Sequence, residues 1–257
     1  MPIVKNHDAS IYYETHGEGP PLVLAHGAGG NTQIWWQQVP FFAARHRVVT
    51  FDHRCFGRSV CAPAAFDPTA FAEDLVAVLD AEGLERVALV CQSMGGWTGL
   101  RMALDHPDRL GCLVLCGTPG GIVTDQIMAA ARRIADGAAQ DGIRGNAALS
   151  KGFREREPEK SFLYDQIASR NSDFAPSMLA PLAKVRITPD ALGAHSVPTL
   201  LISGEEDALF PTAAIREIAG LIPGALMHTI PDCGHSPYYE MPEVFNPMVE
   251  EFVSQHA

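Results

Sequence analysis

The chain has 257 residues, of which 47% are hydrophobic and 19% are charged, and its mean hydropathy is +0.03. This composition excludes a disordered chain, and the sequence has no repeat of the kind that builds collagen or a coiled coil. The net charge of −11 disfavours nucleic acid and anionic membrane surfaces as partners. No stretch approaches the roughly 18 apolar residues that a membrane helix needs.

In the first half of the chain, short apolar strands alternate with helices. The predicted strands are Ser10–Tyr13, Pro21–Ala25, Arg47–Phe51, Val87–Cys91 and Leu110–Cys116, and the predicted helices are Thr32–Ala43, Phe66–Glu82 and Met94–His106. Continuous apolar strands separated by helices predict a mostly parallel sheet that is covered on both faces.

The second half begins with a change of pattern. Residues 119–195 contain the predicted helices Thr124–Ala139, Ser161–Arg170 and Pro176–Val185, and no convincing strand lies between them. The alternation then resumes with strands Thr199–Ser203 and Ala225–Ile230 and helices Thr212–Gly220 and Met241–Ser254. We therefore expect a sheet domain formed by residues 1–118 and 196–257, with residues 119–195 inserted as a helical cap.

The cysteines give a prediction about the cellular compartment. Four of the six lie in or beside apolar, strand-like segments, and the sequence has no C-x-x-C or Cys/His metal spacing. The N-terminus has no apolar signal region. We therefore expect free thiols, a cytoplasmic location and no bound metal. The six positions are Cys55, Cys61, Cys91, Cys112, Cys116 and Cys233.

The most informative segment is V-C-Q-S-M-G-G-W at residues 90–97. It places Ser93 between an apolar strand and a helix, where a tight turn holds the serine in a strained conformation with its side chain exposed. The neighbours two positions away, Cys91 and Gly95, are both small, as the close backbone approach requires. The helix that follows directs its free N–H groups towards the site, where they favour negative charge.

This segment resembles the nucleophile turn G-x-S-x-G of α/β-hydrolase-fold serine hydrolases, with Cys91 in place of the first glycine. The resemblance implies the α/β-hydrolase fold: a mostly parallel central sheet, helices on both faces and a helical cap inserted between strands. Residues 26–31, H-G-A-G-G-N, resemble the oxyanion loop H-G-x-G of the same family. By that resemblance, the backbone N–H groups of Ala28 and Met94 are the oxyanion donors.

The resemblance also implies a base and an acid. His235 lies in P-D-C-G-H-S-P at residues 231–237, after a strand, and can take the serine proton. Asp207 lies in S-G-E-E-D-A-L-F-P at residues 203–211, where its carboxylate would orient the imidazole. Glu205 and Glu206 are rival acids, but the family places the acid shortly before a proline-containing turn, which favours Asp207. The order Ser93, Asp207, His235 is that of α/β-hydrolases.

Other segments have less certain roles. Residues 52–59, D-H-R-C-F-G-R-S, resemble the family segment D-x-R-G-x-G-x-S and are interpreted as a structural loop held by Asp52 or Arg54. Gly27 and Trp35 are candidate substrate-binding residues, whereas Trp97 is expected to pack in the core. Arginines of the cap could bind a substrate carboxylate, and the sequence does not choose among them. They are Arg132, Arg133, Arg154, Arg156, Arg170 and Arg186.

The predicted function is hydrolysis of a carboxylic ester or lactone of a small organic substrate, without a cofactor. The chain length and short linkers resemble bacterial esterases and enol-lactonases. Two segments, Q-S-M-G-G at 92–96 and C-G-H at 233–235, also resemble carbon–carbon hydrolases of aromatic-ring cleavage, which instead carry a tryptophan where this chain has Ser236. A perhydrolase and a non-catalytic binding protein are further alternatives. The sequence leaves open whether the chain is a monomer or a homodimer.

Overall fold

The computed structural model describes residues 2–141, 147–171 and 176–256. Residues 142–146 and 172–175, which belong to the expected cap, lie outside the described residues. The strands are β1 Ile3–Asn6, β2 Ala9–His16, β3 Pro21–Ala25, β4 Arg47–Phe51, β5 Val60–Cys61, β6 Val87–Gln92, β7 Leu110–Cys116, β8 Thr199–Gly204 and β9 Leu226–Ile230.

The helices surround the sheet, and most of them lie where the sequence pattern predicts a helix. They are α1 Gln38–Phe42, α2 Phe71–Ala81, α3 Gly95–Asp105, α4 Asp125–Asp141, α5 Lys151–Arg156, α6 Pro158–Ser169, α7 Thr212–Leu221, α8 Pro237–Glu240 and α9 Pro242–His256. Short 3₁₀ helices lie at Thr32–Trp35, Pro63–Ala65, Pro68–Ala70, Pro107–Arg109, Pro176–Lys184 and Pro189–Ala194.

The strands form one sheet in the order β1-β2-β4-β3-β6-β7-β8-β9, and β5 pairs with β2 outside this path. The neighbouring strands in the series β4-β3-β6-β7-β8-β9 are all parallel, whereas β2 is antiparallel to each of its partners, β1, β4 and β5. This mixed, mostly parallel sheet with surrounding helices confirms the predicted fold class. It also brings the carboxyl ends of β3, β6, β7, β8 and β9 to one edge.

Both faces of the sheet are buried, and alternate residues of one strand show this directly. Val23 and Ala25 of β3 belong to a hydrophobic cluster with α2, α3 and α7, whereas Leu22 and Leu24 belong to a cluster with α1 and α9. Because side chains of a strand point alternately to opposite faces, both sets can be apolar only when both faces are covered.

Prolines account for the helices that the sequence pattern misjudged. The predicted helix Thr32–Ala43 is divided into a 3₁₀ turn and α1, because in a continuous helix Pro40 would have no N–H to donate to the carbonyl of Trp36 and its ring would collide with that carbonyl. Pro181 lies inside the segment Pro176–Lys184, which is a 3₁₀ helix instead of the predicted α-helix. The sequence analysis also missed β1, β5, α5 and α8.

Residues 119–195, the inserted segment, leave the sheet after β7 and return before β8. The two ends are joined at their base, where the N–H of Ile187 donates to the carbonyl of Gly121 at 2.8 Å. The boundaries of the sheet domain and of the cap remain predictions. Across the described ranges, the helices are all too short or too polar to cross a membrane.

Cys55 and Cys61 correct the prediction that all six cysteines are free. They form a disulfide, and their Cα atoms lie 5.2 Å apart. Cys55 occupies a position where the related segment has glycine, and its φ of 65° turns the chain back towards Cys61. The remaining four cysteines are free and buried, as expected.

Candidate active site

Ser93 follows β6 at the carboxyl edge of the sheet and has a φ of 48°, in the left-handed region. Its N–H donates to the carbonyl of Cys116 at 2.9 Å, which ties the turn to the end of β7. A Cβ at Gly95 would collide with the carbonyl oxygen of Ala25, so the first residue of α3 must be glycine. The strained turn predicted from the sequence is therefore present, and contacts on both sides hold it.

Cys91, the residue that replaces the first glycine of the motif, points into the core. It is fully buried, and a Cβ added at Gly99 would lie 2.7 Å from its sulfur atom. Burial raises the pKa of the Cys91 thiol. A buried, protonated thiol is inert, so of these two residues Ser93, which is half-buried, is the one placed to react with a substrate.

His235 and Asp207 are in direct contact. Nδ1 of His235 lies 2.9 Å from Oδ2 of Asp207, and both side chains are almost completely buried. Oδ1 of Asp207 accepts hydrogen bonds from the N–H groups of Leu209 and Phe210, at 2.8 and 2.9 Å. The carboxylate is thus fixed through both oxygens. The rival acid Glu206 is exposed, as is Glu205.

Ser93 does not yet complete a hydrogen-bonded triad. Nε2 of His235 is buried and has no hydrogen-bond partner within the described residues, so Oγ of Ser93 does not bond to it. The end of β7 lies between the serine turn and the His235–Asp207 pair. A Cβ at Gly117 would lie 3.1 Å from Nδ1 of His235, and the carbonyl of the adjacent Cys116 accepts the N–H of Ser93. Catalytic hydrogen bonds are often long or unformed without substrate.

The loop that carries His235 is held by Glu240 at the end of α8. Oε2 of Glu240 accepts the N–H of Gly234 at 3.0 Å and the N–H of Ser150 at 3.1 Å. Ser150 is the residue before α5, so one carboxylate joins the histidine loop to the inserted segment. Burial raises the pKa of Glu240.

The loop after β3 lies against the serine turn. A Cβ at Gly27 would lie 2.9 Å from Cβ of Ser93 and would collide with Oε1 of Gln92. The carbonyl oxygen of Gly27 accepts the N–H of Gly30 at 3.0 Å. Because a trans peptide group is planar, the N–H of Ala28 points away from this carbonyl. Within the part of the chain that is described, no protein group accepts the N–H of Ala28 or of Met94.

His26 fixes the same loop from inside the protein. Its Nε2 accepts the N–H of His53 at 2.9 Å, so its proton is on Nδ1, which donates to the carbonyl of Gly27 at 2.7 Å. Burial lowers the pKa of His26 to about 4, and burial also lowers the pKa of His53. His26 is therefore neutral at physiological pH and keeps this tautomer.

A third hydrophobic cluster joins the predicted oxyanion residues to the inserted segment. Trp97 belongs to it, as expected for a core residue, and its Nε1 donates to the carbonyl of Leu182 at 3.2 Å. Its buried members are Phe56, Phe66, Phe71, Met94, Trp97 and Val185, and Ala28, Cys55, Met178, Leu179 and Leu182 pack against them.

Trp35 lies elsewhere. It is fully buried in the cluster with α1 and α9, and its ring centroid lies 4.6 Å from that of Tyr238. This contact gives Trp35 a packing role, and its contact with substrate remains a prediction. Most of the arginines considered for substrate binding are exposed, whereas Arg154 is partly buried and lies 3.8 Å from Asp165.

The loop at residues 52–59 has the structural contacts expected of it. Asp52 accepts the N–H of Thr32 at 2.5 Å and that of Arg58 at 2.7 Å. Arg54 is buried and binds both oxygens of Asp74. A cavity of about 290 Å³ lies beside this loop, but neither Ser93 nor His235 lines it.

Sequence reasoning missed two residues that hold the site. Glu240 carries no motif that marks it, and its role depends on a buried contact with the distant Ser150. Asn171 follows α6, and its side chain binds the loop after β3, 142 residues away. Neither role has a signal in a single sequence, because long-range contacts of polar side chains leave no periodic pattern.

Comparison with known proteins identifies the family to which the fold belongs. The sequence profile of the α/β hydrolase fold matches residues 20–242. A protein of Variovorax paradoxus named as a carbamate hydrolase, RutD, is 30% identical over 95% of this chain and 96% of its own. The 2-hydroxy-6-oxo-6-phenylhexa-2,4-dienoate hydrolase of Comamonas testosteroni is 29% identical over 96% of this chain and 92% of its own. The solved structure of the N-acyl homoserine lactone degrading enzyme Est816 superposes with a TM-score of 0.83 at 31% identity, covering 98% and 100% of the two chains.

Proposed function

The chain belongs to the α/β-hydrolase fold family, and from that premise we propose that it hydrolyses a carboxylic ester or lactone of a small organic substrate. The contact between His235 and Asp207, at the edge of the sheet where Ser93 is held in its strained turn, carries this proposal. A nucleophile, a base and a group that orients the base are the elements that acyl transfer requires.

In the proposed mechanism, Oγ of Ser93 attacks the carbonyl carbon while Nε2 of His235 takes the hydroxyl proton. The N–H groups of Ala28 and Met94 donate to the oxyanion of the tetrahedral intermediate. The intermediate collapses to an acyl-enzyme, and His235 gives its proton to the leaving alkoxide. Water, deprotonated by the same nitrogen, then attacks the acyl-enzyme, and the acid is released as His235 returns that proton to Oγ of Ser93. Asp207 stabilises the imidazolium throughout.

We also propose that the inserted segment covers this site, and three contacts support the assignment. Trp97 donates to Leu182, as described above, and the hydroxyl of Tyr164 lies 3.4 Å from Oγ of Ser236, next to His235. Leu179 and its neighbours pack against the cluster that contains Met94. The segment therefore contacts the elements that carry both the nucleophile and the base.

A second candidate is hydrolysis of a carbon–carbon bond in a vinylogous diketone. The relative from Comamonas testosteroni, whose name describes such a substrate, aligns over almost the whole chain. The two resemblances at 92–96 and 233–235 point the same way, whereas Ser236 departs from the tryptophan of those enzymes. One relative is named as a carbamate hydrolase, so carbamates are a third class of carbonyl substrate to be tested, after esters or lactones and vinylogous diketones.

A substrate panel with one matched pair of variants tests the proposal. The purified protein is assayed with p-nitrophenyl acetate, an N-acyl homoserine lactone, an alkyl carbamate and a vinylogous diketone. We expect the ester or lactone to be the best substrate and Ser93→Ala to abolish turnover with the fold retained. Ser203→Ala is the control, because Ser203 is also at the end of a strand but bonds to Gly204 and Thr212. Turnover that survives in Ser93→Ala would refute the mechanism, and inactivity on the whole panel would favour the non-catalytic alternative.

A further inference from the structure

We propose that Asn171 is a positioning residue of the oxyanion hole, and that it holds the N–H of Ala28 through two linked backbone peptide groups, the second of which carries that N–H. The inference rests on the proposed function, because the oxyanion is the one that forms when Ser93 attacks. Asn171 lies in the inserted segment, immediately after α6, and is 3% exposed.

The side-chain amide of Asn171 has four hydrogen-bond partners. The two N–H bonds of its Nδ2 are shared among the carbonyl oxygens of Gly29 at 2.8 Å and of Gly30 and Ala168 at 3.2 Å, and its Oδ1 accepts the N–H of Gly57 at 2.7 Å. The opposite orientation of the amide would place Oδ1 against three carbonyl oxygens, so these partners determine which atom is the donor.

From Asn171 the hydrogen bonds continue towards Ser93. The carbonyl of Gly29 and the N–H of Gly30 belong to one peptide group, and that N–H donates to the carbonyl of Gly27 at 3.0 Å. The carbonyl of Gly27 in turn shares a peptide group with the N–H of Ala28. Because each peptide group is planar, fixing its carbonyl also fixes the direction of its N–H.

This arrangement gives Asn171 two effects on the oxyanion hole. It fixes the direction of the Ala28 N–H before substrate binds, which is the preorganisation that oxyanion stabilisation requires. It also polarises the connected peptide groups, because successive hydrogen bonds in a chain strengthen one another by about 10–30% per bond. Part of the predicted cap therefore acts on the chemical step as well as on the choice of substrate.

Asn31 provides a matched control at the same junction between the loop and α6. Its Nδ2 donates to the carbonyl of Ile167 at 3.0 Å, and its Oδ1 accepts the N–H of Gln33 at 3.0 Å. Asn31→Asp and Asn171→Asp each remove one side-chain donor, keep the acceptor and add one negative charge. Of these two asparagines, Asn171 is the one whose side chain is bonded to the peptide groups that lead to Ala28.

The test compares both variants with the wild type, using p-nitrophenyl acetate for turnover and hydrogen exchange for the amides of residues 27–31. For Asn171→Asp we expect kcat to fall about tenfold with KM within twofold, because removal of a whole oxyanion donor costs about 10²–10³-fold. We expect the Gly30 amide to exchange at least tenfold faster. For Asn31→Asp, which leaves the contacts of Asn171 with Gly29 and Gly30 in place, we expect Gly30 exchange within twofold of the wild type and a smaller fall in kcat than in Asn171→Asp.

Three results would overturn the inference: unchanged exchange of Gly30 in Asn171→Asp, a rise in KM in place of the fall in kcat, or an equal loss in Asn31→Asp. Where Asn171→Asp does not fold, Asn171→Ala takes its place with the same expected changes. Hydrogen exchange needs no substrate, so it tests the hydrogen-bond chain even if Ser93→Ala refutes the proposed function.

Discussion

Nδ1 of His235 lies 2.9 Å from Oδ2 of Asp207, although the two residues belong to loops that follow different strands. The other carboxylate oxygen accepts two backbone N–H groups. The position of the imidazole is therefore set by a carboxylate that cannot rotate, and Nε2 is the nitrogen available for chemistry.

Asp207→Asn tests whether this contact orients the base. We expect kcat to fall on the order of 10⁴-fold, the loss recorded for the same change in a serine protease, because the amide selects the wrong tautomer of the histidine. Glu206→Gln is the control, since its carboxylate is one residue away and exposed. Steady-state kinetics with the best ester would measure both. An equal loss in Glu206→Gln would show that the acid is assigned to the wrong residue.

Glu240 is predicted to hold the histidine loop through its acceptor oxygen. Glu240→Ala leaves the N–H groups of Gly234 and Ser150 without their acceptor. Each buried donor that loses its acceptor in this way costs about 1–3 kcal/mol of folding free energy. We expect a loss of several-fold in kcat and a marked fall in the free energy of unfolding in urea. Glu240→Gln keeps an acceptor oxygen and should remain much closer to the wild type. Equal stability of all three proteins would contradict this role.

His26 is predicted to make the protein sensitive to mild acid. Its pKa falls from 6.5 unfolded to about 4 folded, so between these values the unfolded chain binds a proton that the folded chain does not. The free energy of unfolding therefore decreases as the pH falls from 6.5 to 4. A shift of roughly 2.5 pKa units at 1.36 kcal/mol each corresponds to about 3 kcal/mol.

Urea denaturation at several pH values, with His26→Asn for comparison, measures this contribution. His53 has a lowered pKa as well and acts in the same direction, so the variant should keep part of the slope. Identical slopes of stability against pH in the two proteins would show that His26 does not cause the acid sensitivity.

Leu179 is predicted to influence which acyl group is accepted. It packs against the cluster that contains Met94, next to the proposed oxyanion site. Leu179→Ala should therefore favour longer p-nitrophenyl acyl esters over the acetate by about tenfold, which is the lower end of the effect of one methylene group in an apolar pocket. Turnover of the acetate should change less than twofold. A uniform loss on every chain length would indicate damage to the fold instead.

The fold was predictable because its signals are local. Strands such as Pro21–Ala25 and Leu110–Cys116 have the predicted bounds, since a buried parallel strand is a continuous apolar run between helices. The misjudged helices contain or follow prolines, whose effect on the hydrogen bonds of an α-helix outweighed the apolar pattern. The disulfide depended on a turn at Cys55 that a cysteine rarely adopts.

The residues of the candidate site also differ in whether a local sequence motif identifies them. Ser93, His235 and Asp207 were selected because each follows a strand in a short motif, and the structure brings His235 and Asp207 into contact. Asn171 and Glu240 have no such motif, and their contacts depend on how α6 and α8 pack against distant loops. Substrate preference has the weakest signal in the sequence, because we propose that it depends on apolar contacts made by the inserted segment, and such contacts have no motif.

Labelling with a fluorophosphonate probe, followed by mass spectrometry, tests the central claim that Ser93 is an activated nucleophile. The account predicts one modified residue, Ser93, with labelling that is lost in Ser93→Ala and strongly slowed in Asp207→Asn. Ser203→Ala should label like the wild type. A folded protein that takes no label, or one that is labelled at another residue and remains so in Ser93→Ala, would contradict the account.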